Sequence, residues 1–366
     1  MGVPHMEIRS IDHVELFVAD AEAAAALLCD RLGFVVAGRG DATTGLRGCV
    51  TVLLRQGEIA LLITAATSPD HRAAEYVERH GDGVGVIAVR VDDARAAFAA
   101  AVEHGAVPVA PAATFGPAGA AVTFASVIGF GDVEHRFVSR DLPDGPFVPA
   151  IEESARERGD DALFTRIDHL AICVPAGALA DVVLRYQEIF GLRQIFEERI
   201  SVGSQAMNSA VVQSASERLT LTILEPDITR DPGQIDSFIT AHGGAGVQHI
   251  AFLTDDILEA VPTSTARGVR FLATPSTYYD MLTQRVGPLD TPVDHLRELN
   301  VLADRDHSGI VLQIFTESWH SRRTLFYELI DRRGAHSFGS NNIHALYAAV
   351  ERQRTTEPEL GAREPR

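Results

Sequence analysis

Ile11-Asp12-His13-Val14-Glu15-Leu16-Phe17-Val18 returns further along the chain as Ile167-Asp168-His169-Leu170-Ala171-Ile172-Cys173-Val174. Each copy has the alternation of a strand, runs on into an Ala-rich helical stretch, and closes that stretch on Leu32-Gly33-Phe34 or Phe190-Gly191-Leu192. A second echo follows: His80-Gly81-Asp82-Gly83-Val84-Gly85-Val86-Ile87-Ala88 against Gly243-Gly244-Ala245-Gly246-Val247-Gln248-His249-Ile250-Ala251, each leading to an Asp-Asp pair and a helix. Two homologous halves follow from this internal repeat, and 366 residues is a length that suits two domains.

Working outward, the periods predict an α+β chain in which a βαβββ unit is used twice per half. Strands are expected near 10–18, 34–39, 48–55, 59–65, 84–91, 107–110, 120–127 and 133–140, with helices near 20–32 and 92–104. The second half repeats the pattern with strands near 166–174, 193–200, 205–213, 218–225, 246–254, 269–272, 308–316 and 324–332. It adds a helix near 232–242, an insertion near 275–306 of the size that usually serves a site, and a C-terminal helix from about 341 expected to act as a lid. Domain boundaries are placed at 9–145 and 165–353, with the Pro-containing, charged stretch 141–165 as linker.

Composition narrows the function. The 32 Lys and Arg stand against 50 Asp and Glu, and a net charge of −18 repels nucleic acid and anionic lipid surfaces. No stretch is apolar for long enough to span a bilayer, so neither membrane nor nucleic acid is an expected partner and a small molecule is. Cys29, Cys49 and Cys173 form no CxxC pair and are too few for a disulfide framework. The first residues lack a basic segment followed by an apolar one, which reads as a cytoplasmic location. Oligomeric state, including a homo-oligomer, is left open.

Alternation places His169, Ala171 and Cys173 on one face of their strand and Asp168, Leu170, Ile172 and Val174 on the other, the face suited to packing under a helix. His169 then looks into the concave side of a curled sheet. His249 opens the equivalent strand of the next unit, and Glu328 is the lone carboxylate at the centre of the apolar run Leu325-Phe326-Tyr327-Glu328-Leu329-Ile330. A carboxylate so placed is costly unless paired or bound to a cation. Two imidazoles and a carboxylate from three strands make the facial triad that leaves positions open on non-haem iron(II). Either histidine alone reads as an ordinary strand residue, but the repeat separates the two readings: alignment sets Val86 where His249 stands and Arg136 where Glu328 stands, while His13 persists. The fold therefore does not require these polar residues, and the first half is expected to be a non-catalytic copy.

The second half resembles the 4-hydroxyphenylpyruvate dioxygenase family of the vicinal-oxygen-chelate superfamily. The resemblance rests on Ile167-Asp168-His169, Gly246-Val247-Gln248-His249, Pro275-Ser276-Thr277-Tyr278-Tyr279-Asp280, Asn300-Val301-Leu302-Ala303-Asp304, Leu312-Gln313-Ile314-Phe315, Tyr327-Glu328 and Phe338-Gly339-Ser340-Asn341-Asn342-Ile343, and it extends over residues 10–353. It implies a vicinal-oxygen-chelate fold, two open curled sheets with outer helices, and iron(II) held by His169, His249 and Glu328. The implied substrates are 4-hydroxyphenylpyruvate, chelating the metal through its 2-oxo acid, and dioxygen. It further implies that Gln313 orients substrate, that Phe315 and Phe338 shape an aromatic pocket, that Ser209 and Gln234 reach the phenol hydroxyl, and that Gln248 and Asn342 support the centre from behind.

The family has two branches, one oxidising the substrate ring to homogentisate and one hydroxylating the benzylic carbon to 4-hydroxymandelate. Three positions depart from the ring-oxidising pattern: Thr222 and Leu224 where that branch carries Pro and Asn, and Ile343 where it carries a Phe. They resemble the mandelate-forming branch, as does 205–214. An aliphatic wall in place of a flat ring would let the benzylic carbon lie nearest the reacting oxygen. The sequence is therefore expected to encode an iron(II)-dependent oxygenase making 4-hydroxymandelate and carbon dioxide, a step toward the hydroxyphenylglycine of nonribosomal peptide antibiotics. The alternatives are homogentisate formation in tyrosine breakdown and, from another class, a catalytically inert small-molecule binding protein on the same fold.

Overall fold

The structure is a computed structural model that describes residues 6–142, 145, 147, 150–154, 162–336, 342 and 344. In the first half the repeated motif forms β1 (Ser10–Phe17), and Asp20 caps the helix α1 (Ala21–Leu32), accepting from the Ala23 N–H. There follow β2 (Val35–Gly40), β3 (Cys49–Gln56), β4 (Ile59–Ala66), α2 (Arg72–His80), β5 (Gly83–Arg90), α3 (Ala94–Glu103), β6 (Pro108–Phe115), β7 (Val122–Phe130) and β8 (Val133–Arg140). The expected elements include no counterpart of α2, although Ala73, Tyr76 and His80 lie buried at helical spacing. The stretch read as linker contributes β9 (Glu152–Glu153), which pairs with β2.

The second half gives β10 (Arg166–Cys173), α4 (Leu179–Phe190), β11 (Arg193–Val202), β12 (Gln205–Gln213), β13 (Thr220–Pro226), α5 (Gln234–His242), β14 (Gly246–Leu253) and α6 (Ile257–Ala266). The insertion folds as α7 (Ser276–Asp280), α8 (Leu282–Val286) and α9 (Val293–Glu298), then β15 (Leu302–Arg305); β16 (Ile310–Phe315) and β17 (Phe326–Arg333) complete the sheet. Residues 269–272, expected as a strand, make only an isolated bridge from Phe271 to Thr316. The chain leaves the edge at Pro275, and β15 takes that edge instead by pairing with β16.

The strand orders are β6-β7-β8-β5-β1-β4-β3-β2-β9 and β11-β12-β13-β10-β14-β17-β16-β15. At the centre of each, the repeat strand pairs parallel with one neighbour and antiparallel with the other: β1 with β4 and β5, β10 with β13 and β14. This is the paired βαβββ architecture of the vicinal-oxygen-chelate fold. Leu170, Ile172 and Val174 join the main core beneath the helices, while Ala171 and Cys173 pack on the opposite face with Met207, Leu224 and Phe238.

The helix-covered faces of the two sheets meet each other, α1 against α6, α2 against α5 and α3 against α4. One apolar core runs through both halves. Phe252 stacks on Phe164 and Tyr327 and leans on Phe34 from the other half. At the β3–β4 turn Gly57 has φ +54°, and a Cβ there would lie 2.6 Å from the carbonyl oxygens of Phe164 and Thr165. Only glycine lets that turn approach the strand that opens the second half.

Candidate metal centre

His169, His249 and Glu328 stand on β10, β14 and β17, three adjacent strands. Glu328 pairs in register with Ala251, which also pairs with His169, and Ala171 pairs with His249. The three side chains therefore converge on one face. The Nε2 atoms of both histidines lie 3.3 Å from Glu328 Oε2. The three ligand atoms fall within 4.8 Å of one another, and all three residues are buried. A divalent ion bonded at roughly 2.1 Å holds ligands at right angles about 3 Å apart, so the spacing fits a facial site.

Two bulges aim the imidazoles. The β10–β14 register skips at Asp168 and again at Gln248, each the residue before a histidine. The displaced side chain then turns back onto its neighbour: His169 Nδ1 donates to Asp168 Oδ1 at 2.8 Å, and His249 Nδ1 sits 3.3 Å from Gln248 Oε1. A ring that donates from Nδ1 offers its Nε2 lone pair to the site. This corrects the strict alternation that set Asp168 against a helix. Its carboxylate receives His169 and a two-pronged pair from Arg332, with Nε to Oδ2 at 2.7 Å and Nη2 to Oδ1 at 2.8 Å.

Charge in the metal-free site follows from burial and these neighbours. Burial alone would neutralise His169, but Glu328 and Asp168 outweigh it and raise the ring to about 9. Burial likewise works against a charged Glu328, whose carboxyl is nonetheless held down at about 2, first by the charge of His169 and by its hydrogen bond. His249 is lowered, chiefly by burial. One proton thus rests between His169 and Glu328, where a cation would replace it.

Around the triad, Ser209, Thr222 and Leu224 share the site face through the β12–β13 and β10–β13 registers. Ser209 Oγ and Thr222 Oγ1 are buried and have no hydrogen-bond partner among the described residues. Gln234 is buried at the start of α5. Phe315 meets the His249 ring edge-on at 5.9 Å, and Phe326, which no sequence signal singles out, stacks on it at 5.0 Å. Gln313 is spent on protein partners: its Nε2 donates to Glu328 Oε1 at 2.8 Å and its Oε1 accepts from Asn342 Nδ2 at 2.8 Å. Phe338, Ile343 and the expected lid helix, apart from Asn342 and His344, lie outside the described residues.

The first half carries the same frame with other contents. His13 Nδ1 donates to Asp12, which pairs with Arg140 as Asp168 does with Arg332. Val86 faces Glu15 and Arg136 pairs with Ala88, the register positions of His249 and Glu328. Arg136 donates to Glu15 Oε2 at 2.9 Å, setting an ion pair where the second half sets its triad. Among the described residues, the second-half triad is the single cluster of this kind.

Comparison with known proteins agrees with this frame. The model of the glyoxalase/bleomycin resistance protein/dioxygenase superfamily matches residues 10–133 and 166–314, one stretch per half. A probable 4-hydroxyphenylpyruvate dioxygenase 2 from Aspergillus fumigatus is 32% identical over 97% of this chain and 96% of its own. The 4-hydroxyphenylpyruvate dioxygenase of Danio rerio is 31% identical over 95% and 91%. The chain belongs to the 4-hydroxyphenylpyruvate dioxygenase family. Among solved structures, a mutant of 4-hydroxymandelate synthase from Streptomyces coelicolor superposes with a TM-score of 0.89 at 43% identity, covering 95% of this chain and all of that one. As a member of this family the chain is a dioxygenase-type enzyme, and no helix among its described residues is long and apolar enough to cross a membrane.

Proposed function

We propose that the chain converts 4-hydroxyphenylpyruvate and dioxygen to 4-hydroxymandelate and carbon dioxide at an iron(II) ion held by His169, His249 and Glu328. The observation that carries the reading is the convergence of two Nε2 atoms on one carboxylate oxygen in an enzyme of this family. Donors of two imidazoles and one carboxylate suit iron(II) and leave one face open for a chelating 2-oxo acid and a gas molecule. When bound, iron(II) supplies dioxygen activation coupled to oxidative loss of the substrate's carboxyl group.

The protein's own part is to hold and shape. Asp168 and Gln248 fix the rings, and Phe315 and Phe326 keep His249 from turning and keep water from its face. Ser209 and Thr222 present hydroxyls to the polar end of an aromatic substrate, and Leu224 adds an apolar wall. That wall, together with Ile343 in the sequence and the resemblance to a 4-hydroxymandelate synthase, supports benzylic over ring oxidation. The domains are then 9–145, non-catalytic, and 165–353, catalytic with a lid helix. Supply of hydroxyphenylglycine for peptide antibiotics, in the cytoplasm, is the setting such a product fits. The names of the relatives at 31–32% identity favour a second reading, homogentisate formation. Incubation with iron(II), ascorbate and 4-hydroxyphenylpyruvate in air decides between them: 4-hydroxymandelate as main product supports the proposal, and homogentisate overturns the product while leaving the metal assignment in place.

A further inference from the structure

The insertion of the second half reaches the triad through one phenol. Tyr278, on α7, accepts from the Ala303 N–H at 2.9 Å, and its oxygen lies 2.7 Å from Asn342 Oδ1 and 2.9 Å from the Ala303 carbonyl. The Ala303 carbonyl also receives Arg285 Nη2 at 3.1 Å, and of the two acceptors that face the single phenol proton Asn342 makes the shorter contact. An amide whose oxygen is taken on one side presents its N–H on the other. Asn342 Nδ2 accordingly donates to Gln313 Oε1, and Gln313 Nε2 donates to Glu328 Oε1, both at 2.8 Å.

Reversing either amide would set oxygen against oxygen or N–H against N–H, so the relay runs one way only, anchored by the acceptor-only Glu328 carboxylate at one end and by the Tyr278 hydroxyl at the other. Its end point is the carboxylate: Oε1 is occupied by Gln313, and Oε2 alone faces both imidazoles. The phenol is well placed to keep its proton, since burial pushes it up to about 12. The Arg285 guanidinium sits over its ring at 4.4 Å and holds the ring in place.

We propose that Tyr278 is a positioning residue for the metal centre: by anchoring the Asn342 and Gln313 amides it holds Glu328 Oε1 in the relay and leaves Oε2 alone for the metal. The inference rests on the metal reading above and adds to it a reason for the insertion. It also ties Asn342, beyond the last strand, to the state of the carboxylate.

The test is anaerobic titration of the full chain with cobalt(II) alone, following its visible absorption, for wild type and Tyr278→Phe. Phenylalanine keeps the ring and its contact with Arg285 and removes only the hydroxyl. The proposal expects the metal dissociation constant to rise by about tenfold or more, as loss of a partner behind a ligand does, and the cobalt bands to shift as Glu328 gains freedom to bind through both oxygens. Asn342→Asp, which can accept from Tyr278 but has no N–H for Gln313, should give the same shift. If Tyr278→Phe does not fold, Asn342→Asp tests the relay through which Tyr278 must act: wild-type affinity and spectrum there overturn the proposal, and the tenfold loss supports it. A lowered melting temperature with wild-type affinity and spectrum would mark Tyr278 as a packing residue and overturn the proposal. Absence of cobalt binding in wild type would instead overturn the metal reading and this inference with it.

Discussion

The same histidine, in the same place on the same strand, meets opposite fates in the two halves. His169 is raised to about 9 because a carboxylate stands across from it. His13 is lowered, first by burial and further by the Arg136 charge that occupies the Glu328 position, against the pull of Asp12. Both keep an Asp on Nδ1 and an Arg behind that Asp. The orienting pair therefore belongs to the scaffold, and Asp168 with Arg332 is not in itself a mark of a metal site. The chemistry sits in the two positions that differ. The first half keeps an open space of about 390 Å³ lined by His13, Glu15, Phe124, Arg136 and Phe147, yet its polar floor is paired off internally.

The largest effect expected from this contrast is on turnover. Glu328→Ala should abolish product formation and weaken metal binding by orders of magnitude, whereas Arg136→Ala should leave one metal per chain bound at wild-type affinity. Metal analysis giving two ions per chain, or an active Glu328→Ala enzyme, would erase the distinction between the halves.

For Arg136 the expected effect is on stability. Arg136→Ala leaves Glu134 paired with Arg72 but leaves the Glu15 carboxylate with the Thr64 hydroxyl and no cation, and breaking a buried pair from one side costs about 3–5 kcal/mol. The residual exposure of Arg136, 20% of its side chain, puts the expected loss toward the lower end of that range. Urea unfolding of the metal-free protein checks it; a change under about 0.5 kcal/mol, the range of surface substitutions, would mean the pair is ornamental.

A third effect is graded in pH. A group whose folded value lies above its unfolded value of roughly 6.5 stabilises the metal-free fold fully below that pH and loses its contribution as pH rises through the folded value. For His169 the window is therefore about 6.5 to 9. Metal must expel the same proton, so affinity should climb by up to about tenfold per unit across this window and then flatten. His13, lowered, remains neutral there and adds nothing. Titrations at three pH values between 6.5 and 9 that give equal affinities would contradict the proton's location.

The smallest expected effect is on product ratio. Ile343→Phe should divert part of the flux from 4-hydroxymandelate toward homogentisate while decarboxylation continues, since about 1.4 kcal/mol of relative barrier moves a ratio tenfold. An unchanged product mixture by chromatography would place the control of regiochemistry at Thr222 and Leu224 instead.

The triad was legible because the repeat supplied its own control: the fold keeps His13 but tolerates Val86 and Arg136, so period and comparison together picked out three residues. The central strands followed from alternation, seen twice over. What escaped the sequence was everything set by local breaks in that alternation. The bulges at Asp168 and Gln248 turn side chains that a period of two sends elsewhere. The edge strand β15 arrives after an insertion whose length hides which segment will pair. Tyr278 and Phe326 reach the site by tertiary packing, and no spacing within their own segments announces it.

The shared core has a consequence for anyone wishing to shorten this enzyme. Phe34, Leu32 and Leu28 from the first half lie in one cluster with Phe252, Tyr327 and Leu329 from the half that holds the triad, and Arg31 lies over the Trp319 ring at 5.0 Å. A fragment starting near 165 would present that inner surface to water as a broad adhesive face behind an intact sheet. The half that sets Val86 and Arg136 in the triad's places is thus the other side of a mould, which the half that holds the triad cannot shed.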